Sequence, residues 1–338
     1  MAEFALSPLV AILLPPAVAA AGIAALRHWG EVLPRAPPTA RSLHESPVPR
    51  VGGLAIWAGF LPVALLAPAI PAIATPAWLG AWLAVVIVSL IDDWRGVHPI
   101  PRLAVHGTAA LTAAAALCGS IVAASSMPSW LLEVALLALL IAWSANLFNF
   151  MDGNDGLAAT MSVCGFGAYA IAASNAGAPM QTYAALAAAT IPFLAVNLPP
   201  ARMFMGDVGA VPLGFLAAVF GIAGWRAGAW PGWFPLLVFL PFVVDATATL
   251  VRRVLRAERV WEAHRTHYYQ RLHQLGALHR GTLAAYCGLM VGTAATALAL
   301  LVQRPAAGWW GLAVWMAIMG AFFARIDYHW SQKKTNSP

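Results

Sequence analysis

The chain has 338 residues, of which 61% are hydrophobic and only 9% charged, with a formal net charge of +6. A soluble domain carries about 25% charged residues, so this composition, with a mean hydropathy of +0.75, excludes an ordinary water-soluble enzyme. It predicts an all-α integral membrane protein.

A helix needs about 20 apolar residues to cross a hydrocarbon core of about 30 Å. In chain order, eleven candidate runs lie near 5–26, 52–70, 77–91, 103–122, 129–148, 157–174, 182–198, 210–225, 232–250, 281–302 and 307–324. Several are short or interrupted by proline, so the expectation is one polytopic bundle of 10–11 transmembrane helices over 1–325, with a short tail at 326–338. The first run ends in small residues, but no Lys or Arg precedes it, so a retained helix rather than a cleaved signal is expected.

Short cytoplasmic loops are enriched in Lys and Arg. With the N-terminus outside and the C-terminus inside, Arg27, Arg35, Arg41, Arg50, Arg95, Arg102, Arg202, the basic residues from Arg252 to Arg280, Arg325, Lys333 and Lys334 fall on the cytoplasmic side. Only Arg226 and Arg304 fall outside, and the opposite topology inverts this bias. The positive charge then describes a cytoplasmic face suited to anionic headgroups and phosphorylated ligands, with no nucleic-acid motif. Cys118, Cys164 and Cys287 lie inside apolar runs without CxxC spacing and are expected to be small buried hydrophobes.

Polar residues collect in four connections that this topology places on one face: IDDWRGVHPIPR (91–102), NLFNFMDGNDG (146–156), NLPPARMFMGDVG (197–209) and RVWEAHRTHYYQRLHQLG (259–276). Ionisable groups at membrane depth are costly and mark sites. Asp92, Asp93, Asp152, Asp155 and Asp207 each fall at or just past a helix end. Converging carboxylates repel one another unless a cation intervenes; Mg2+, a hard ion that takes oxygen ligands, suits them, and Asn149 can add a carboxamide oxygen.

Each motif taken singly has a plainer reading. The DD pair suits a solvated helix end, and the glycines of DGNDG and GDVG suit turns. His264 and His267, at i and i+3 on one helix face, suit a surface, and zinc lacks a third ligand. Asp245, inside the ninth run, reads equally as a satisfied interior carboxylate or a gating group. The conjunction of four motifs on one face turns the reading toward a site.

In that order, DD at 92–93, NxxNxxDGxDGLA at 146–158, FMGDVG at 204–209 and HRxH at 264–267, separated by membrane helices, resemble the polyprenyl-phosphate N-acetylhexosamine-1-phosphate transferases. RSLHESPVPRVGGLAI (41–56) and DATATLVRRVLRAERVWEAHRTHYYQRL (245–272) are similar to the O-antigen-type bacterial branch, which includes undecaprenyl-phosphate GlcNAc-1-phosphate transferase. The consecutive histidines of the peptidoglycan translocase are absent. Asn154 stands where relatives usually carry an apolar residue, and is expected to alter packing or ligand fit.

The resemblance implies a multi-pass enzyme of the bacterial inner membrane with its active site on the cytoplasmic face. It would transfer a sugar 1-phosphate from a UDP-N-acetyl sugar to undecaprenyl phosphate, releasing UMP, as the first membrane step of O-antigen or related surface-glycan synthesis. The same resemblance implies Mg2+, with Mn2+ as a substitute, on Asp207 and Asn149. Asp92 and Asp93 would lie against the acceptor phosphate, Asp92 as candidate base, with Asp152 and Asp155 orienting the nucleotide-sugar. Asn146, His264, Arg265 and His267 would contact the donor, Arg102 and Arg202 would neutralise phosphate, and Arg41, His44 and Arg50 would meet the lipid phosphate. Residues 251–280 would form a basic cytoplasmic arm along the headgroups. Family members include dimers, so a homodimer is one expected assembly. The competing reading, a secondary transporter, would place its charges near the bilayer midplane at broken helices of a repeat.

Overall fold

The computed structural model of the chain describes residues 7–29, 33–36, 48–67, 77–119, 127–259 and 264–335. The helices are α1 (Pro8–His28), α2 (Gly53–Leu66), α3 (Ala77–Arg95), α4 (Pro99–Cys118), α5 (Met127–Met151), α6 (Leu157–Asn175) and α7 (Gln181–Asn197). They continue with α8 (Asp207–Arg226), α9 (Trp233–Val238), α10 (Leu240–Leu255), α11 (Tyr268–Leu272), α12 (Leu278–Gln303) and α13 (Gly308–Thr335). A π-turn (His273–Ala277) joins α11 to α12. Two short strands, β1 (Arg35–Ala36) and β2 (Val48–Pro49), pair antiparallel ahead of α2.

Each of the eleven apolar runs contributes a helix, and eight helices among the described residues are long and apolar enough to cross a membrane. Three runs fall short of that length for visible reasons. α2 has 14 residues and α7 has 17. The ninth run breaks at Phe239, where Pro241 in the first turn of α10 lacks the N–H that would continue the helix. Ile87, Leu139 and Trp310 are among the large apolar side chains left exposed on the bundle, as lipid contact requires. The chain is therefore a polytopic all-α membrane protein.

α8 is the central helix, buried almost continuously from Val208 to Gly224 and packed on α2, α3 and α5. Small residues allow this close approach. A Cβ on Gly53 would lie 2.4 Å from the Gly209 Cα, and one on Gly214 would lie 2.3 Å from the Ser144 carbonyl oxygen. Ser144 Oγ donates to the Gly214 carbonyl at 2.7 Å, fixing the register of α5 against α8.

Two boundaries differ from the sequence expectation. α13 runs to Thr335, so 326–335 is helix rather than tail; its Asp327 accepts from Arg252 and Arg271, each at 2.7 Å. Those two arginines thus turn inward, and the expected arm at 251–280 is instead the end of α10, α11, the π-turn and the first turn of α12, with 260–263 outside the described residues.

Candidate active site

The four polar connections meet at one end of the bundle, around the N-terminus of α8. The four N–H groups that open a helix need acceptors from outside it. Here Asp93, at the end of α3, serves two of them: its carboxylate accepts from Asp207 N at 3.1 Å and Val208 N at 2.9 Å. Arg50 donates to the same carboxylate at 2.6 Å. Phe204 O accepts from Gly52 N and Met205 O from Gly53 N, both at 3.0 Å, which ties the start of α2 to the approach of α8.

Asp207 is held between two guanidinium groups. Arg102 donates to its Oδ2 at 3.2 Å, and Arg50 lies 3.7 Å from its Oδ1. Arg102 also pairs closely with Asp92, whose other oxygen accepts from Val97 N at 2.6 Å. The structure therefore joins Asp92, Asp93, Asp207, Arg50 and Arg102 in one network.

Gly206 makes that network geometrically available. Its φ is +73°, and a Cβ there would lie 2.0 Å from the Arg50 carbonyl oxygen and 2.6 Å from Asp93 Oδ2. Backbone cannot yield as a side chain tip can. Gly206→Ala is expected to cost about 2 kcal/mol or more from the left-handed backbone and the clash together, read as a lower melting temperature with displaced Asp207 chemistry.

The α5 segment is helical through Met151, so of NLFNFMDGNDG only residues 152–156 form the loop. Asn146 turns its amide back to donate to the Ala142 carbonyl at 2.8 Å. Asn149 lies five residues beyond Ser144, about 7.5 Å along the axis, level with the first turn of α8 by the Ser144–Gly214 register. Asp152 follows in the loop. Burial raises its carboxyl well above the ordinary range, and the carboxylates of Asp207, Asp93 and Asp155 raise it further. Asp155 is buried and engaged: Oδ2 accepts from Ala201 N at 2.9 Å, and its own N–H donates to His279 Nδ1 at 3.1 Å.

The HRxH segment is brought to this loop by Tyr269, whose hydroxyl donates to the Phe150 carbonyl at 3.0 Å. Gly153 admits it, since a Cβ there would lie 2.1 Å from that hydroxyl. His264 and His267 do not share a helical face as expected; they precede α11, and their rings stack at 4.9 Å. His267 is buried beside Phe150, with Nδ1 3.5 Å from Asp245. Arg265 follows His264 in the same extended stretch, where its carbonyl accepts from Gln274. Arg202 is exposed at the same end, and among the described residues its guanidinium enters no ion pair of the network. Arg41 and His44 lie outside the described residues.

Burial, with His267 and Arg253 beside it, pushes the His264 imidazole down to about 4, so it is neutral near pH 7 rather than an imidazolium. A folded value below the usual 6.5 means that the unfolded chain binds the extra proton between those two values. Stability is thus expected to fall as pH drops from 6.5 through about 4, and His264→Gln to flatten that decline in thermal unfolding followed from pH 7 to 4.

Three further groups hold the site together; of these only Asn197 drew no expectation from the sequence. Asp245, wholly buried in α10, accepts from Tyr268 N at 2.9 Å and Tyr269 N at 3.0 Å, and from the Tyr286 hydroxyl, which makes it a satisfied interior carboxylate that docks α11. Asn197 accepts from Gly156 N at 3.0 Å and donates to the Met203 carbonyl at 2.9 Å, clamping two of the connections together. Asn154 donates to the carbonyls of Asp155 at 3.1 Å and His279 at 3.3 Å, joining its loop to α12.

The donor set suits a hard cation: three carboxylates are held by two guanidinium groups, and burial and then the neighbouring acids drive Asp152 toward its protonated form. In the arrangement described, the arginines occupy the spaces between the acids, and no cluster of three His, Cys, Asp or Glu at metal-holding spacing occurs among the described residues. The fit is therefore one of donor chemistry.

A membrane bundle with acids and arginines gathered at one end is a chemistry suited to phosphorylated ligands, and comparison with known proteins supplies the class. The family model described as glycosyl transferase family 4 matches residues 75–225, which hold all five acids. The Mycobacterium leprae decaprenyl-phosphate N-acetylglucosaminephosphotransferase is 30% identical over 72% of this chain and 71% of its own length. A Bacillus subtilis protein named "probable undecaprenyl-phosphate N-acetylglucosaminyl 1-phosphate transferase" is 28% identical over 72% of this chain and 70% of its own. The phospho-N-acetylmuramoyl-pentapeptide-transferase of a Synechococcus is 34% identical over 55% of this chain and 57% of its own. The chain belongs to the polyprenyl-phosphate N-acetylhexosamine-1-phosphate transferase family.

Proposed function

We propose that this chain transfers N-acetylhexosamine 1-phosphate from a UDP-linked sugar to undecaprenyl phosphate at the cytoplasmic face of the bacterial inner membrane, releasing UMP. The observation that carries the reading is Asp207 held between Arg50 and Arg102 beside Asp92, with the DGNDG loop and the HRxH segment alongside. In the reaction an acceptor phosphate oxygen attacks the β-phosphorus of the donor. The bond from that phosphorus to the bridging oxygen breaks, and UMP leaves with the oxygen. Charge builds on nonbridging oxygens, so positioned cations supply most of the catalysis.

Arg50 and Arg102 are the groups placed to take phosphate oxygens, exchanging a carboxylate partner for a phosphate one. Asp207, with the Asn149 carboxamide, is the set that would hold Mg2+, or Mn2+, which when bound would neutralise diphosphate charge. Asp92 already accepts from Val97 N and Arg102, which suits it to positioning. The second pKa of a phosphate monoester is about 6, so the acceptor is largely a dianion and needs no base. Asp93 holds the N-terminus of α8, and His267, docked by Asp245, presents the donor-facing segment. The isoprenoid tail has a matching surface in an apolar cavity of about 530 Å³ between α5, α8 and α9, lined in part by Trp143, Leu147, Ala218 and Phe239.

The excess of Lys and Arg at the acid-bearing end supports an N-outside, C-inside orientation. The stretches at 41–56 and 245–272 support a role at the start of O-antigen or related surface-glycan synthesis. The transporter alternative has no support, since the acids cluster at one end of the bundle and the family is one of transferases. The test is UMP release by the purified chain with undecaprenyl phosphate, Mg2+ and a panel of UDP-N-acetyl sugars. Lipid-dependent UMP from one donor is expected; UMP formed equally without lipid would overturn the reading.

A further inference from the structure

We propose that the cavity between the π-turn and the C-terminal half of α13 binds the headgroup of an anionic phospholipid. The cavity measures about 460 Å³. Its floor is apolar, made by Leu272, Leu275, Phe322 and Ile326, while Arg325, His329 and Lys333 supply its polar edge. Those three lie at i, i+4 and i+8, so they form one stripe along α13 that rises about 12 Å. An apolar floor beneath a row of cations matches a molecule with a phosphate at one end and an acyl chain at the other.

The local charge balance points the same way. Asp327, the one acidic residue in the α13 sequence, is already committed to Arg252 and Arg271, each at 2.7 Å, and to the Tyr268 hydroxyl at 3.1 Å. Arg252 and Arg271 thus already neutralise the acid of this helix. Among the described residues Arg325 has no ion pair. Lys333 reaches across to the Gln274 carbonyl of the π-turn, which draws the rim of the cavity together.

Depth along the helix also agrees. The apolar run of α13 ends near residue 324, immediately before Arg325. Trp330 sits on the stripe's shoulder with the Arg271 guanidinium 5.8 Å from its ring centre. Trp concentrates at the level of lipid headgroups, so the cations stand at the height of a phosphodiester. A fixed phosphodiester here would brace α13 against α11, and the inference is independent of the transferase reading.

The experiment is native mass spectrometry of the full chain in detergent micelles, titrated with phosphatidylglycerol, phosphatidylcholine or inorganic phosphate. The tightest phosphatidylglycerol site is expected to weaken about 30-fold in the Arg325→Gln/Lys333→Gln double variant, at about fivefold per basic residue. Phosphatidylcholine binding is expected to stay unchanged, and the charge-keeping Arg325→Lys/Lys333→Arg variant to bind as the wild type does, which controls for folding. Unchanged phosphatidylglycerol affinity in the Gln variant, or equal wild-type affinity for the two lipids, would overturn the proposal. Displacement of the lipid by an equal concentration of inorganic phosphate would overturn it in favour of a free-anion site.

Discussion

Asp207→Ala is expected to lower sugar-phosphate transfer by about 10²–10³-fold, the usual cost of removing a positioned electrostatic group from an active site, while leaving the protein folded in membranes. The separation of the two effects follows from its contacts. The side chain meets Arg50 and Arg102, which are themselves partly exposed, and the Asp92 carboxyl, and ion pairs to partly exposed arginines contribute about 1 kcal/mol or less to stability. The backbone N–H of residue 207, which Asp93 holds, survives the substitution. Asp207→Asn keeps the shape and loses the charge, so it is expected to fail to a similar degree. Near-normal turnover in either variant, with an unchanged melting temperature, would remove Asp207 from the centre of the account.

Asp245→Ala is expected to act in the opposite order, through stability first. Its carboxylate is fully buried and is the acceptor for two backbone N–H groups and the hydroxyls of Tyr286 and Thr249. Its removal takes the acceptor from all four in an apolar setting, at a cost of roughly 3–5 kcal/mol. With α11 undocked, His267 and the Tyr269 hydroxyl lose their seat against Phe150. The expected result is a large fall in melting temperature, with a rise in donor KM at temperatures where the variant remains folded. Asp245→Asn retains one acceptor oxygen and is expected to fall between the two. A variant Asp245→Ala that melts with the wild type would show that the cage contributes nothing.

The helices were legible because hydrophobicity alone decides which stretches enter a bilayer, and each of the eleven runs has its helix. The gathering of Asp92, Arg102 and Asp207 followed from counting which helix ends share a side. What escaped was long-range. Nothing near Asp93 announces that it will accept from N–H groups 114 and 115 residues away, and nothing near Asp245 points to Tyr286. Both acids have the same task, holding the N-terminus of a helix from another element; Asp93 therefore resembled a site residue, while for Asp245 the interior-carboxylate reading is the one the structure bears out. His264 and His267 were placed on a helix because their spacing permits one. A local signal did mark the boundary: Gln270, three residues after His267, accepts from the His267 N–H at 3.2 Å, the reciprocal half of a capping box. The break at Phe239 was likewise visible in Pro241, whereas the inward turn of Arg252 and Arg271 depends on Asp327, 75 and 56 residues away.

The most direct test of the central claim follows the donor's β-phosphate. With a UDP-N-acetyl sugar labelled at that phosphorus, the purified chain, undecaprenyl phosphate and Mg2+ are expected to move the label into the solvent-extractable lipid and leave UMP unlabelled, and EDTA to stop the transfer. Label retained in water-soluble UDP would mean that the sugar moves without its phosphate. Label released as free sugar 1-phosphate would mean hydrolysis, and either result would contradict sugar-1-phosphate transfer at this site.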